Sequence, residues 1–322
     1  MSPRARRFAL PLSFAALSML GACSIPVRGS GVLAEDGFQI NRFDEVDLAD
    51  NISLRVSAGA ADEATLRCDD NLIDRINVDV DGGVLELRYQ PGVFGLPRTR
   101  CELEVHRLDI RAIDVSGSAE VVAPGELPAL RAVDVSGSGS VRVGQGSWTL
   151  SEDAAGSLLD SDGSGLVDGE GEAPAEPVDP SSLLDGVDVA AHLSVDVSGS
   201  GEVSIAGARG QSVDVDVSGS GDVDVSKVDV EDAGANISGS GSVRFGGAAA
   251  RVEADISGSG EVYARRLDAQ RAVVRVSGSG EVEVTAKESV KINISGSGDV
   301  SVWGDPEDRD RSVSGSGEIH YR

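Results

Sequence analysis

The 322-residue chain carries 54 acidic against 28 basic side chains, a formal net charge of −26 at pH 7. Such a charge repels nucleic acid and anionic lipid headgroups, and it is compatible with cations, basic partners or plain solubility. Only 3% of the residues are aromatic, whereas 41 are glycine. A globular core of this size would need more large side chains to fill its volume, so the composition predicts a thin architecture of small residues.

Residues 1–22 have the pattern of a bacterial export signal. Three arginines precede an uncharged, largely apolar run from Phe8 to Leu20, which is too short to span a bilayer because a spanning helix needs about 20 residues. The motif Leu20-Gly21-Ala22-Cys23 follows and resembles the bacterial lipobox. The resemblance implies cleavage before Cys23 and a diacylglyceryl thioether on its sulfur. The alternative is an ordinary signal peptide cut nearby, with Cys23 left as a free thiol.

A lipid anchor would place the protein in the bacterial cell envelope. Ser24 follows the cysteine, which in lipoproteins of this type favours the outer membrane over retention at the inner membrane. Loss of the three arginines with the signal takes the formal charge from −26 to −29. Residues 23–31 would form a linker, and the membrane would be reached through the N-terminal lipid, on the periplasmic or the surface face.

Residues 32–110 read as an N-terminal region of short β-strands. Apolar residues alternate from Val46 to Val56, and Asp81-Gly82-Gly83 between two alternating runs predicts a hairpin. Cys68 and Cys101 each lie in an alternating stretch, in a compartment that permits disulfides. They are therefore expected to form a bridge between neighbouring strands, with two unpaired buried thiols as the alternative.

Residues 111–322 are organised by a repeat of Ser-Gly-Ser-Gly type. The first serine of each unit, here called the anchor serine, recurs with spacings of 20, 62, 20, 20, 19, 20, 18 and 19 residues. The anchor serines are Ser116, Ser136, Ser198, Ser218, Ser238, Ser257, Ser277, Ser295 and Ser314. Nine units in one register indicate a repeat architecture with a single interruption.

Within each unit the residues alternate with period 2, as in a half-buried strand. In residues 132–143 the valines share one parity with Gly137 and Gly139, while Asp134 and the serines share the other. The pattern predicts inward valines on both sides of two inward glycines, with outward serine ladders whose hydroxyls could donate and accept between coils. A unit of about 20 residues without helical periodicity predicts a parallel β-solenoid, in which nine coils at about 4.8 Å would measure roughly 40 Å.

Two acidic columns would flank the serine ladder if the coils stack. The column two residues before the anchor serine is Asp114, Asp134, Asp196, Asp216, Asn236, Asp255, Arg275, Asn293 and Ser312. The column four residues after it is Glu120, Ser140, Glu202, Asp222, Ser242, Glu261, Glu281, Asp299 and Glu318. They indicate either a charged surface that prevents aggregation or a weak multivalent site for divalent cations or a cationic partner.

An acidic insertion at about residues 148–189 interrupts the repeat. It contains eleven acidic residues, no lysine or arginine, and three prolines. Asp160, Asp162, Ser164 and Asp168 take positions 1, 3, 5 and 9 of an EF-hand-like calcium loop, but Gly171 stands where a bidentate glutamate belongs. The segment is predicted to be a solvated acidic loop, a calcium loop or a decayed coil; no cofactor is expected to be required.

The order of several motifs resembles the putative auto-transporter adhesin head GIN domain family. These motifs are Phe43-Asp44-Glu45-Val46, then Asp69-Asp70-Asn71-Leu72-Ile73, then Val80-Asp81-Gly82-Gly83-Val84-Leu85, then the serial Ser-Gly-Ser-Gly coils. The resemblance covers residues 30 to 322 and implies a right-handed parallel β-helix in the bacterial envelope. The pair Cys68 and Cys101 and the acidic insertion depart from the family pattern.

These features predict a non-enzymatic envelope lipoprotein, a binding or adhesin-like module for a polysaccharide or protein ligand. A self-assembling structural solenoid is the alternative, since coil ends expose strand edges. A carbohydrate-active enzyme is disfavoured because uniformly short coils leave few loops for a cleft. A nucleophilic serine would need a base, and the histidines at 106, 192 and 320 do not recur with the serines. The Gly-Ser-Gly triplets are only a weak phosphate-loop signal.

Overall fold

In a computed structural model, the described residues are 25–57, 62–91, 93–95, 99, 101–144 and 192–322. Over these ranges the chain is almost entirely β, with one 3-10 turn at Ile73–Arg75 and no α-helix. Its stacked coils form a β-solenoid of about eight turns, as the repeat predicts. The fold predicted from the sequence is therefore confirmed.

Nine short strands come before the repeats. They are β1 Ile25–Val27, β2 Leu33–Gln39, β3 Glu45–Asp50, β4 Ser53–Val56, β5 Glu63–Asp69, β6 Ile76–Asp81, β7 Val84–Tyr89, β8 Val93–Gly95 and β9 Glu102–Val105. The repeats then supply β10 Ala112–Gly117, β11 Glu120–Ala123, β12 Ala132–Gly137, β13 Ser140–Val143, β14 His192–Gly199, β15 Glu202–Gly219, β16 Asp222–Gly239, β17 Ser242–Gly258, β18 Glu261–Gly278, β19 Glu281–Gly296, β20 Asp299–Trp303, β21 Asp308–Gly315 and β22 Glu318–Tyr321.

Each coil has two principal sides, which meet at the Ser-Gly-Ser-Gly unit. Side A is the segment that ends at the anchor serine and its glycine, as in β12, and side B is the segment that follows, as in β13. Equivalent residues of successive coils pair in parallel, so that Gly199 lies beside Gly137 and Gly219 beside Gly199. The repeat period in the sequence is thus one turn of the solenoid.

The acidic insertion leaves the stack unbroken. β12 pairs directly with β14, and β13 pairs with the start of β15, with Val143 opposite Ile205. The coils on the two sides of the 62-residue spacing are therefore adjacent layers. In the sequence, the insertion therefore stands between side B of one coil, which ends with β13, and side A of the next coil, which begins with β14.

The N-terminal region continues the same stack, but not in chain order. β3 and β4 lie in parallel against β10 and β11, and β7 and β9 form the layer beyond them. Antiparallel pairing then replaces parallel pairing, because β6 returns along β7 and β5 runs antiparallel to both β9 and β2. Residues 32–110 are thus a short-strand region that precedes the coils in the chain and shares their backbone ladder.

One hydrophobic cluster runs through the interior of the stack, from Ile40 to Val302. Valines of successive coils are its most frequent members, such as Val133, Val195 and Val213, each with no exposed surface. Burying a valine side chain contributes about 1.5–3 kcal/mol relative to leaving it exposed. Columns of one small branched residue fill a narrow interior, which explains the low aromatic content.

The two glycines of the repeat have different positions, which corrects the expectation that both point inward. The first, as in Gly137, stands at the corner with a φ of 129°. The second, as in Gly139, is buried, and a Cβ on it would lie 2.5 Å from Cγ1 of Val115 in the preceding coil. The first glycine therefore makes the bend, and the second leaves room for a valine.

Candidate functional site

The outward surface of side A forms a polar groove that crosses five coils, here called the serine groove. Its volume is about 400 Å³. Two columns of side chains line it, namely Asp216, Asn236, Asp255, Arg275 and Asn293 beside the anchor serines Ser218, Ser238, Ser257, Ser277 and Ser295. At about 4.8 Å between coils the groove is roughly 20 Å long.

The anchor hydroxyls in this groove are exposed. The expected ladder of hydroxyl contacts is not formed in the described part of the chain, where Ser116 alone among the anchor serines makes a side-chain hydrogen bond, to the Leu48 carbonyl at 3.4 Å. Coils about 4.8 Å apart hold equivalent hydroxyls beyond the 2.7–2.8 Å of a good O–H···O bond. The groove hydroxyls can therefore donate to and accept from a ligand.

The backbone N–H groups of the repeat are used within the stack. The second serine of each unit donates its N–H to the carbonyl of the first glycine in the preceding coil, as Ser200 does to Gly137 at 2.8 Å. A phosphate loop instead needs free N–H groups that point at the ligand. The Gly-Ser-Gly triplets therefore have a structural role.

The first acidic column contains six stacked carboxylates in consecutive layers. In order along the solenoid they are Glu86, Asp47, Asp114, Asp134, Asp196 and Asp216. Partial burial, together with the charge of Asp47, raises the pKa of Asp114 above its usual value. The pKa of Asp134 is raised by partial burial and by Asp196 and Asp114. Repulsion between these carboxylates is thus retained in the folded protein.

Arginine relieves the same repulsion in the serine groove. The guanidinium of Arg275 lies 2.9 Å from Asp255 and also bonds Glu253. The hydrogen bond from Arg275 is the main cause that holds the pKa of Glu253 below its usual value. The groove therefore carries a mixture of hydroxyl, amide, carboxylate and guanidinium groups.

Several carboxylates of the second acidic column bond residues of the next outward column on side B. Arg142 bonds both Glu120 and Glu202, and Tyr263 donates its hydroxyl to Glu261 at 2.8 Å. This hydrogen bond is the main cause that raises the pKa of Tyr263 to about 12. Over the described ranges, no group of three or more His, Cys, Asp or Glu residues is placed to hold a metal ion.

Two sets of sequence-predicted site residues lie outside the described residues. These are the lipidation site Cys23 and the calcium-loop residues Asp160, Asp162, Ser164 and Asp168. Within the described ranges, the sulfur atoms of Cys68 and Cys101 lie 1.96 Å apart and the Cα atoms 4.1 Å apart. They connect β5 to the residue before β9, and both cysteines are buried.

Sequence inspection missed a contact between Ser57 and His106. The Ser57 hydroxyl lies 2.7 Å from Nδ1 of His106 and 3.0 Å from Glu104. In a catalytic triad the acid bonds the other imidazole nitrogen and orients the ring. Here Glu104 contacts the serine itself and also Arg67 at 3.1 Å, an arrangement that differs from a triad.

A second cavity, of about 610 Å³, lies where side B ends in the central coils. It is here called the arginine cavity and is defined by Asp224, Arg244, Tyr263, Arg265, Arg266 and Glu283. These residues belong to four different coils, so no local motif could have indicated them. The only sequence signal is the shortened spacing of 19 residues between Ser238 and Ser257.

The stacked coils define a β-solenoid with an exposed polar groove. The family model described as "Putative auto-transporter adhesin, head GIN domain" matches residues 42–172 and 186–306, and the chain belongs to this family. The break between the two matches lies inside the acidic insertion. No protein with a curated description matches the sequence.

Crystal structures of similar proteins share the fold. One is described as a putative lipid binding protein from Parabacteroides distasonis, with 18% identity and a TM-score of 0.60 over 92% of this chain and 100% of that one. A putative adhesin from the same organism has 17% identity, the same TM-score and the same coverage. A putative adhesin from Parabacteroides merdae has 15% identity and a TM-score of 0.60 over 92% of this chain and 98% of that one.

Proposed function

We propose that this protein is a non-enzymatic, lipid-anchored binding module of the bacterial cell envelope, which uses the serine groove for adhesin-like attachment to an extended ligand. The observation that carries the proposal is the groove itself, with exposed hydroxyl, amide and charged groups repeated across five coils. The adhesin family supports a binding role at the cell surface or envelope. Two of the similar crystal structures are also described as putative adhesins.

The chemistry of the groove favours a hydroxyl-rich or peptide-like chain. Serine hydroxyls donate and accept, asparagine amides do both, and the carboxylates accept from hydroxyl or N–H groups. A groove roughly 20 Å long can contact several consecutive units of a polymer. An envelope or extracellular polysaccharide, or an extended protein segment, is therefore the proposed partner.

Groove variants provide the direct test of this role. A deletion strain complemented with Ser257→Arg, which fills the groove with a long cationic side chain, should attach less to matrix-coated surfaces than one complemented with wild type. Ser259→Arg is the matched control, because Ser259 is exposed beside the same corner and outside the groove. Normal attachment by the deletion strain, or an equal loss for both variants, would refute the proposed role.

The lipid anchor is a separate part of the proposal. Cys23 would carry the lipid, residues 23–31 would link it to the solenoid, and the outer membrane would hold it on its periplasmic or surface face. Over the described ranges, no helix has the length and hydropathy needed to cross a membrane. We expect Cys23→Ala to shift the protein from the membrane to the soluble fraction, and protease treatment of intact cells distinguishes the two faces. A membrane-bound variant would contradict lipidation at this residue.

Self-assembly is a second candidate function, favoured by the last coil. Among the described residues, β21 pairs only with β19 and β22 only with β20. Val313 of β21 is 43% exposed, and an open strand edge is a template for another chain. Size-exclusion light scattering should show concentration-dependent oligomers if the solenoids join end to end, and a strictly monomeric profile would exclude this.

Calcium binding remains a proposal that rests on the sequence of the acidic insertion. Asp160, Asp162, Ser164 and Asp168 would supply the oxygen ligands, although the loop lacks its final glutamate. Calorimetric titration of the mature protein with calcium chloride tests it, with Asp160→Asn/Asp162→Asn as the variant. Absence of heat below millimolar calcium, or unchanged heat in the variant, would exclude calcium binding by this loop.

A further inference from the structure

We propose that the arginine cavity binds a carboxylated sugar residue, such as a uronic acid unit of an acidic polysaccharide. The cavity lies at the far end of side B, on a different surface from the serine groove of side A. The two sites have no lining residue in common. The inference therefore does not depend on the proposed role of the serine groove.

The cavity exists because one coil is shorter than its neighbours. The ladder of β17 is irregular on both sides, between Val225 and Val228 of β16 and between Arg244 and Gly246 of β17 itself. Gly247 makes the short corner with a φ of 128°, and a Cβ there would lie 2.1 Å from the Val228 carbonyl oxygen. β16 and β18 each contain one more residue than β17 at this corner, and the cavity is lined by residues of the same corner.

The guanidinium groups of the cavity are not neutralised by close ion pairs. Arg266 is exposed and forms no hydrogen bond or ion pair with any other described residue. Arg244 approaches Asp222 only to 4.0 Å, and Arg265 lies over the Trp303 ring at 4.6 Å from its centroid. Arg142, by contrast, bonds two carboxylates. In a chain of net charge −26, these three arginines form a local cationic site.

Tyr263, Arg244 and Arg265 are held in place before any ligand arrives. Tyr263 is fixed by its hydrogen bond to Glu261, and the Arg244 guanidinium lies 5.3 Å from its ring centroid. The Thr285 hydroxyl donates to the backbone carbonyl of Arg265 at 2.8 Å. Preorganised side chains lose less conformational entropy on binding, so the arrangement suits a specific ligand.

The lining selects one class of anion. The planar guanidinium matches a carboxylate through two parallel hydrogen bonds. Asp224 and Glu283 accept hydrogen bonds from sugar hydroxyls, and their charges disfavour a dianion such as a phosphate monoester. The Tyr263 ring provides apolar surface for the C–H groups of a sugar ring. The volume of about 610 Å³ falls within the range of small-molecule sites.

Isothermal titration of the mature protein with trigalacturonic acid, and with maltotriose as the neutral probe, tests this inference. We expect trigalacturonic acid to bind and maltotriose to bind at least about tenfold more weakly. Arg266→Gln should lower the affinity for trigalacturonic acid about tenfold, since it removes a charge-assisted hydrogen bond. Arg271→Gln is the matched control, with the same charge change at an exposed arginine outside the cavity. Raising the salt concentration should weaken the binding of trigalacturonic acid but not the binding of maltotriose.

Several results would overturn the inference. These are no heat with trigalacturonic acid at millimolar concentration, equal affinity for the neutral probe, an equal loss in the two variants, or displacement by inorganic phosphate at comparable concentration. Unchanged circular dichroism and melting temperature would show that Arg266→Gln is folded. Ser257→Arg should bind trigalacturonic acid as wild type does, which separates failure at this cavity from failure at the serine groove.

Discussion

At the residue scale, the corner glycine is the position on which each coil depends. Along the column from Gly117 to Gly315 the φ angles lie between 123° and 147°. A Cβ at any of these positions would approach the carbonyl oxygen of the preceding coil to 2.1–2.6 Å. Asp50, with a φ of 70°, occupies the same column in the layer before Gly117, and aspartate is one of the few residues that adopts this region.

We therefore expect Gly239→Ala to lower the free energy of unfolding by more than about 2 kcal/mol, from backbone strain and the close carbonyl oxygen. Gly37→Ala is the control, since a Cβ there meets nothing within 4 Å, and it should change stability by less than about 0.5 kcal/mol. Denaturant unfolding followed by circular dichroism measures both. Equal effects would show that the corner does not need glycine.

The stacked carboxylates lead to a prediction about pH. The pKa of Asp134 is raised in the folded protein, so the folded state holds this proton to higher pH than the unfolded chain does. The free energy of unfolding therefore falls as the pH rises through the window between the unfolded and the folded pKa. Asp134→Asn should stabilise the protein at pH 7 by a few tenths of a kcal/mol, because it removes a like-charge cross-strand pair.

This gain should disappear at pH 3, below the ordinary value of 3.8, where wild-type Asp134 is largely protonated in both states. Asp36→Asn, at an exposed carboxylate of β2 outside the column, serves as the control for net charge. The melting temperatures of wild type, Asp134→Asn and Asp36→Asn are to be compared at pH 7 and at pH 3. A gain at both pH values would contradict the electrostatic explanation.

At the element scale, the N-terminal strands close one end of the stack. Parallel pairing ends at β7 and β9, and the antiparallel strands β6, β5 and β2 continue the sheet. Arg67 of β5 lies opposite Glu102 of β9, which brings Cys68 beside Cys101. We propose that a disulfide here ties β5 to the strand layer that contains β9.

The pair Cys68 and Cys101 closes a loop with a sequence separation of 33 residues. Removing such a link should cost about 3 kcal/mol, mainly through the greater entropy of the unfolded chain. We expect Cys68→Ala/Cys101→Ala to unfold at lower denaturant concentration than wild type. A reducing agent should destabilise wild type and leave the double variant unchanged. Two titratable thiols in the native protein would contradict the disulfide.

At the scale of the whole molecule, the solenoid is continuous between the two coils that flank the acidic insertion. The coils that flank it pair as regularly as any others, with Ser136 opposite Ser198 and Val141 opposite Val203. Residues 148–189 supply the 42 positions beyond one 20-residue period. The two flanking coils therefore pair with each other directly, with no layer between them.

Deleting residues 148–189 should leave the β-solenoid intact and raise its stability by up to about 1 kcal/mol, because a shorter loop costs less closure entropy. Circular dichroism, melting temperature and binding of trigalacturonic acid can be compared with those of wild type. Loss of cooperative unfolding in the deletion variant would show that the insertion contributes to the fold.

The sequence predicted much of the architecture because its signals were local or strictly periodic. Alternation placed Val133 and Val135 inward, and the 20-residue period placed Ser218 beside Ser198. Both follow from the two-residue repeat of a strand and from equal coil lengths. The different positions of Gly137 at the corner and Gly139 in the interior were not evident, since a period-2 pattern carries no information about a backbone corner.

By itself, the sequence determined the all-β class, the stacking of coils of similar length and the common register of the anchor serines, because each unit can bury its valines only against its neighbours. The tertiary structure alone decided the order of the layers, where β3 and β4 follow β7 and β9 in the stack. It also decided the serine groove and the arginine cavity. Both sites combine side chains from several coils. The cavity also depends on a one-residue difference in coil length, which can form a cavity only when the coils are stacked side by side.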